Sequence, residues 1–83
     1  MDSLKPINVK FKLEKQVVEE LIIINWSIGK VKGKIRKRFK INPYYILELI
    51  YNGQVLENTR QFKEVNYQSN TFIKVMASRP ADI

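Results

Sequence analysis

The side chains that most often carry catalysis are missing from this chain, because its 83 residues include no histidine and no cysteine. That removes the commonest general base, the commonest metal ligand, thiolate nucleophiles, disulfides and cysteine zinc sites together. The carboxylates are spread along the chain with no motif pairing them for acid–base work, and no glycine-rich phosphate loop or carboxylate-rich metal loop is present. No enzyme activity, cofactor or metal is expected from such a set.

What remains is charge. Lys30, Lys32, Lys34, Arg36, Lys37, Arg38 and Lys40 fall within eleven residues, no acidic residue lies between Glu20 and Glu48, and the net charge is +7. A block of this kind attracts phosphates, anionic lipid or an acidic protein. Its bland reading is a set of solvated lysines on the outer face of a helix. The chemical reading is nucleic-acid or polyanion binding through Lys30, Lys34, Arg36, Lys37, Arg38 and Lys40. That reading is weakened by the absence of interleaved aromatic side chains on which bases stack.

The elements that position these residues follow from hydrophobic period. Ile7 to Leu13 alternates apolar and polar residues, which predicts a strand with one buried face. Glu14-Lys15-Gln16 is the polar turn, and Val17 to Ile24, rich in β-branched residues, is the second strand of a hairpin. Alternation breaks at Leu21-Ile22-Ile23-Ile24, so the inward members of that run stay open. Ser27 is placed to cap a helix. Ile28, Val31, Ile35 and Phe39 then form one apolar stripe, and the basic residues occupy most of the remaining circumference of a helix over residues 28–40. Pro43 is expected to end that helical region. Gly29 and Gly33 lie beside the stripe without an assigned role. Ile46 to Tyr51 is a third strand, Asn52-Gly53 a turn, Gln54-Val55-Leu56 a short fourth strand, Phe62 to Val65 a single helical turn and Thr71 to Ala77 the last strand.

Two strands, one helix and further strands pack most economically as a single helix laid across a small mixed sheet. The length supports one domain. Residues 1–6 and 78–83 are expected to be flexible ends around a domain spanning 7–77. The longest apolar run has four residues, Leu21 to Ile24, and the N-terminus has no apolar secretory core. No membrane span or signal peptide is expected, and an intracellular place, cytoplasm or nucleus, is the default.

From Ser27 onward the residues resemble the ubiquitin-like family. Ser27-Ile28-x-x-Val31-Lys32-x-Lys34-Ile35 is similar to that family's helix. Leu49-Ile50-Tyr51-Asn52-Gly53-Gln54-Val55-Leu56-Glu57-Asn58-x-Arg60 resembles its third strand, turn and fourth strand. Phe62, Val65, Asn66 and Tyr67 match the short helical turn and its sequel, and Thr71 to Met76 the last strand. The resemblance implies an α+β, β-grasp fold, a four- to five-stranded mixed sheet packed on one α-helix. The conjugated members end in Gly-Gly, whereas the last strand here runs into Ala77-Ser78-Arg79-Pro80-Ala81-Asp82-Ile83, so conjugation is not expected. Two lysines used for chain building in the family are replaced by Gln54 and Ser69.

Carried over position by position, the family's apolar recognition patch falls on Ile50 and Met76, with Lys74, Gly53 and Glu48 around it. Alternation reaches the same face independently: if Leu47, Leu49 and Tyr51 point to the helix, Ile46, Glu48 and Ile50 point away. With Ile73 and Val75 in the core, Phe72, Lys74 and Met76 also point outward. The resemblance implies a non-conjugated protein-interaction domain, a monomer or part of a larger protein. Its partners would be of proteasomal, ubiquitin-handling or splicing-type assemblies.

Overall fold

The computed structural model describes residues 5–80. Eight residues, Pro6–Leu13, form strand β1, and Gln16–Ile23 form β2 antiparallel to it. The register pairs Leu13 with Gln16, so the hairpin turns on two residues, Glu14 and Lys15, one fewer than the three expected. Glu14 takes a positive φ of 54°. Two-residue hairpin turns require such a conformation to match strand twist, even where no glycine or asparagine supplies it. The register also decides the ambiguous run. Ile22 faces Ile7 and is fully buried, Leu21 faces Asn8 on the other side, and Ile23 is half-buried at the strand's end.

Helix α1 runs from Ile28 to Arg38, with Ile28, Val31 and Ile35 buried. The Ser27 side chain accepts the Lys30 backbone N–H at 3.1 Å. The N–H groups of Ile28 and Gly29 donate to the carbonyls of Arg60 (2.8 Å) and Asn58 (3.1 Å). Three otherwise orphaned donors of the first turn are thereby satisfied. The other end corrects the expected helix of residues 28–40. It stops at Arg38, two residues short of that range, because Lys40 turns left-handed at φ 57°. Lys40 donates its N–H to Lys37 O at 3.2 Å and Ile41 to Arg36 O at 2.9 Å, a Schellman termination. Lys40 therefore lies beyond the helix.

Ile46–Tyr51 form β3, Gln54–Val55 form β4, Phe62–Val65 make a 3₁₀ turn and Phe72–Ser78 form β5. Asn52 (φ 53°) and Gly53 (φ 78°) turn the β3–β4 hairpin with both residues left-handed, as an Asn-Gly pair favours. The five strands lie in the order β2-β1-β5-β3-β4, with β1 and β5 parallel and the other pairs antiparallel. This is the β-grasp arrangement expected. Pro6 belongs to β1 and Ser78 to β5, so each strand takes one residue from the segments assigned to the ends; residues 1–4 and 81–83 lie outside the described residues.

One core joins the sheet's inner face to the helix: Val9, Phe11, Ile22, Leu47, Leu49, Tyr51, Ile73 and Val75 meet Ile28, Val31, Ile35 and Phe62. Tyrosines bind its margins. The Tyr67 hydroxyl donates to Thr71 O at 2.6 Å and accepts the Lys10 N–H at 3.0 Å, fastening β1 to the loop before β5. Gly29 and Gly33 are not sterically required. A Cβ on Gly29 meets only ordinary contacts at 3.6 Å or more, and one on Gly33 meets nothing within 4 Å.

Candidate docking face

The outer sheet face is built by the same alternation that fills the core. Along β3 the burial reads exposed or intermediate at Ile46, Glu48 and Ile50 and buried at Leu47, Leu49 and Tyr51. Along β5, Phe72, Lys74 and Met76 are exposed between the buried Ile73 and Val75. Pairing then sets these residues side by side: Ile50 opposes Lys74, Glu48 opposes Met76 and Ile46 opposes Ser78. Gly53 sits at the adjoining turn. All six sequence-derived positions of the sheet site thus lie on one face or its rim.

The face is larger than those six residues. Val55 opposes Ile50 across the Asn52-Gly53 turn and is 52% exposed, and Ile46 is 50% exposed. A two-residue turn forces residues equidistant from it onto one side, so Val55 was readable from the Asn-Gly signal. Val17 and Leu21 continue the same face on β2 and follow from the hairpin register. Of the exposed large apolar side chains among the described residues, all but Tyr44 lie here. Between the two apolar halves run Lys10 and Lys12 of β1, with Lys12 Nζ 5.7 Å from the Phe72 ring centroid.

The basic block behaves differently. Glu20 lies on the helix side of β2, where its carboxylate reaches Arg38 at 3.1 Å and Lys34 at 3.6 Å. Lys34 also donates to Leu21 O at 2.9 Å, covering part of the β2 edge. Arg36 points to the opposite side of the helix and donates to the carbonyls of Asn42 (3.0 Å) and Tyr45 (3.1 Å). Burial holds the Lys32 ammonium below the usual lysine range, with Glu48 partly opposing that shift and Arg36 adding to it. Lys30 and Lys34 stand over the Trp26 ring at 4.8 and 5.4 Å, while Lys37 and Lys40 are exposed. The six proposed polyanion ligands are therefore divided between two sides of the helix and, for Lys40, the turn beyond its end, and three of them already hold other groups. Trp26 is an aromatic neighbour that helix periodicity alone did not reveal.

Among the described residues no group of three or more carboxylates is placed to hold a metal, and no helix is long and apolar enough to cross a membrane.

The family model described as "Ubiquitin family" matches residues 7–80. No curated protein matches the chain. Among solved structures, the N-terminal ubiquitin-like domain in the 4931431F19Rik protein superposes with a TM-score of 0.80 at 20% identity, covering 98% of this chain and 83% of that one. The UBL domain of Plasmodium falciparum Dsk2 gives 0.77 at 16% identity over 88% of this chain and 99% of that one. A chain of the pParkin–pUb–UbcH7 complex gives 0.80 at 16% identity over 90% of this chain and 24% of that one. At these identities the likenesses speak for the fold.

Proposed function

The chain belongs to the ubiquitin family, and from that premise we propose that it is a non-conjugated, non-catalytic docking module that binds a protein through the outer sheet face. One observation carries the reading: the exposed large apolar residues gather on that face, with Ile46, Val55 and Met76 exposed around the half-buried Ile50 across β4, β3 and β5. An apolar centre with Glu48, Lys74 and Lys12 around it has the composition of a protein-binding patch. Met76 adds a side chain that adapts to its partner. Arg79, Pro80, Ala81 and Asp82 follow β5, and none of them is the glycine that the tail of the conjugated members carries. The Dsk2 domain and the chain of the pParkin–pUb–UbcH7 complex that share this fold support a protein partner; an intracellular partner of the ubiquitin-handling kind is the form of it that we propose.

The test is a pull-down with nuclease treatment, comparing wild type with Ile50→Glu and with Lys30→Glu/Lys37→Glu. Ile50→Glu is expected to fold, since the new carboxylate faces Lys74 across the strand pair. A major bound protein that survives nuclease and is lost with Ile50→Glu supports the reading. Binding that ignores Ile50→Glu but disappears with nuclease or with Lys30→Glu/Lys37→Glu refutes it in favour of the basic helix.

A further inference from the structure

On the solvent side of α1 an aromatic ring stands among charges that the fold does not neutralise. Lys30, Lys34 and Lys37 follow one another at helical spacing, within about a 60° arc turned away from the buried Ile28, Val31 and Ile35. With Gly33 and Trp26 they line one open hollow. Trp26 is fixed by its backbone, whose N–H donates to Ile23 O at 2.9 Å and whose carbonyl accepts the Phe62 N–H at 2.8 Å. Its half-buried ring carries Lys30 Nζ at 4.8 Å and Lys34 Nζ at 5.4 Å from the centroid. Among the described residues the indole N–H has no acceptor, and it is not sealed from solvent. Lys30 and Lys37 are exposed and form no ion pair among the described residues, whereas Lys34 reaches Glu20 at 3.6 Å. Both arginines of the basic block are engaged, Arg38 with Glu20 and Arg36 with the carbonyls of Asn42 and Tyr45.

We propose that this flank of α1 seats the protein on an anionic membrane surface, with Trp26 at the headgroup level and Lys30 and Lys37 against lipid phosphates. The proposal goes beyond the docking reading and does not depend on it. Three features select this occupant. The free cations are lysines, compact charges on flexible stems that suit a fluid, smeared negative surface; the planar guanidinium forks that grip a single carboxylate or phosphate are already in use. The hollow is lined mainly by the ring and the aliphatic lysine stems. Tryptophan beside lysine is the composition of a membrane interface, where an amphipathic ring and snorkelling ammonium groups both find partners. Single-stranded nucleic acid fits less well, because the ring on which a base would stack already carries two ammonium groups. The helix covers the inner face of the sheet, so a membrane on this flank leaves Ile50 and Met76 open to a protein. Each free lysine is expected to raise partitioning onto an anionic bilayer by about fivefold.

Trp26 is the only tryptophan in the chain, so its own emission reports the contact. The wild-type chain is titrated with vesicles of phosphatidylcholine containing phosphatidylserine, and with vesicles of phosphatidylcholine alone, at about 0.1 M salt. Anionic vesicles should shift the emission to the blue, brominated acyl chains should quench it, and co-sedimentation should be about twentyfold or more stronger than with neutral vesicles. Salt at about 0.5 M should release the protein. Lys30→Gln/Lys37→Gln should weaken co-sedimentation by about tenfold or more. The charge-matched control Lys12→Gln/Lys74→Gln, on the outer sheet face, should change it little. Equal weakening by both double variants, equal binding to neutral vesicles, or binding that ignores salt overturns the proposal. Emission that answers to single-stranded RNA or to polyglutamate but not to anionic vesicles also overturns it, and gives the lysines to a nucleic acid or an acidic protein. Vesicles that neither shift the emission nor sediment the chain overturn it outright.

Discussion

Replacing Lys40 with glycine should make the protein more stable, although it removes a side chain and adds a flexible residue. Lys40 occupies the left-handed position after α1 at φ 57°, and the two bonds that close the helix use backbone atoms that glycine retains. Its side chain is exposed, so little packing is lost. A residue with a Cβ in this conformation costs about 1–2 kcal/mol. Glycine returns about 0.5–1 kcal/mol of that through the greater freedom of the unfolded chain. Loss of a cation near a helix C-terminus subtracts a few tenths more, about 0.3 kcal/mol, offset by relief of repulsion within the basic block. The net expectation is a gain of about 0.5–1 kcal/mol, which for a domain of this length is about 2–8 °C in Tm. Thermal and urea unfolding followed by circular dichroism measure it, and an unchanged m-value shows that the gain is in stability. Lys40→Ala is the control, since it deletes the charge and keeps the strained backbone; it should change Tm little. If Lys40→Gly is neutral or destabilising, or Lys40→Ala gains as much, then charge rather than backbone conformation governs this position.

Gly33→Ala should stabilise α1 by about 1 kcal/mol in the same unfolding assay, because the added methyl meets no neighbour and the mid-helix backbone entropy falls. Tyr67→Phe should destabilise by about 1–3 kcal/mol, since Lys10 N–H and Thr71 O each lose their bond to the hydroxyl, and the Lys10 amide should exchange faster with solvent. Glu64 is held below the usual carboxylate range, first by the Gln61 N–H and then by Arg60. Its contribution to stability is therefore full above the ordinary glutamate range and lost as pH falls through its lower folded value. Glu64→Gln should accordingly flatten the acid side of a Tm-against-pH profile, and an unchanged slope would show that this cap does not couple to folding.

Much of the outer face was legible because it depends on local rules. Alternation in Ile46–Tyr51 and Phe72–Met76 assigned Ile50, Glu48, Met76, Lys74 and Phe72 to the side away from the core, and the burial pattern agrees residue by residue. Ser27 as cap and Ile28, Val31 and Ile35 as buried stripe followed equally from helix geometry. The reading of the basic block was less complete for the opposite reason. Between Glu20 and Glu48 the chain looks purely cationic, yet the fold carries Glu20 to the helix, beside Lys34 and Arg38, and turns Arg36 onto the carbonyls of Asn42 and Tyr45. The helix end was misplaced because a lysine in a left-handed conformation leaves no compositional mark, whereas Pro43 does.

The sequence by itself determined which residues point in and which point out along nearly every element, since a side chain's direction is set by the period of its own strand or helix. It also carried the absence of histidine and cysteine and the overall excess of positive charge. Only the tertiary structure decided what those outward residues stand beside. The phase of Leu21 to Ile24 came from pairing with β1, the placement of Lys12 beside Lys74 from the parallel contact of β1 with β5, and the partial neutralisation of the basic helix from Glu20 on a neighbouring strand. Strand pairing joins segments distant in the chain, and no local period encodes which strand becomes the neighbour of which.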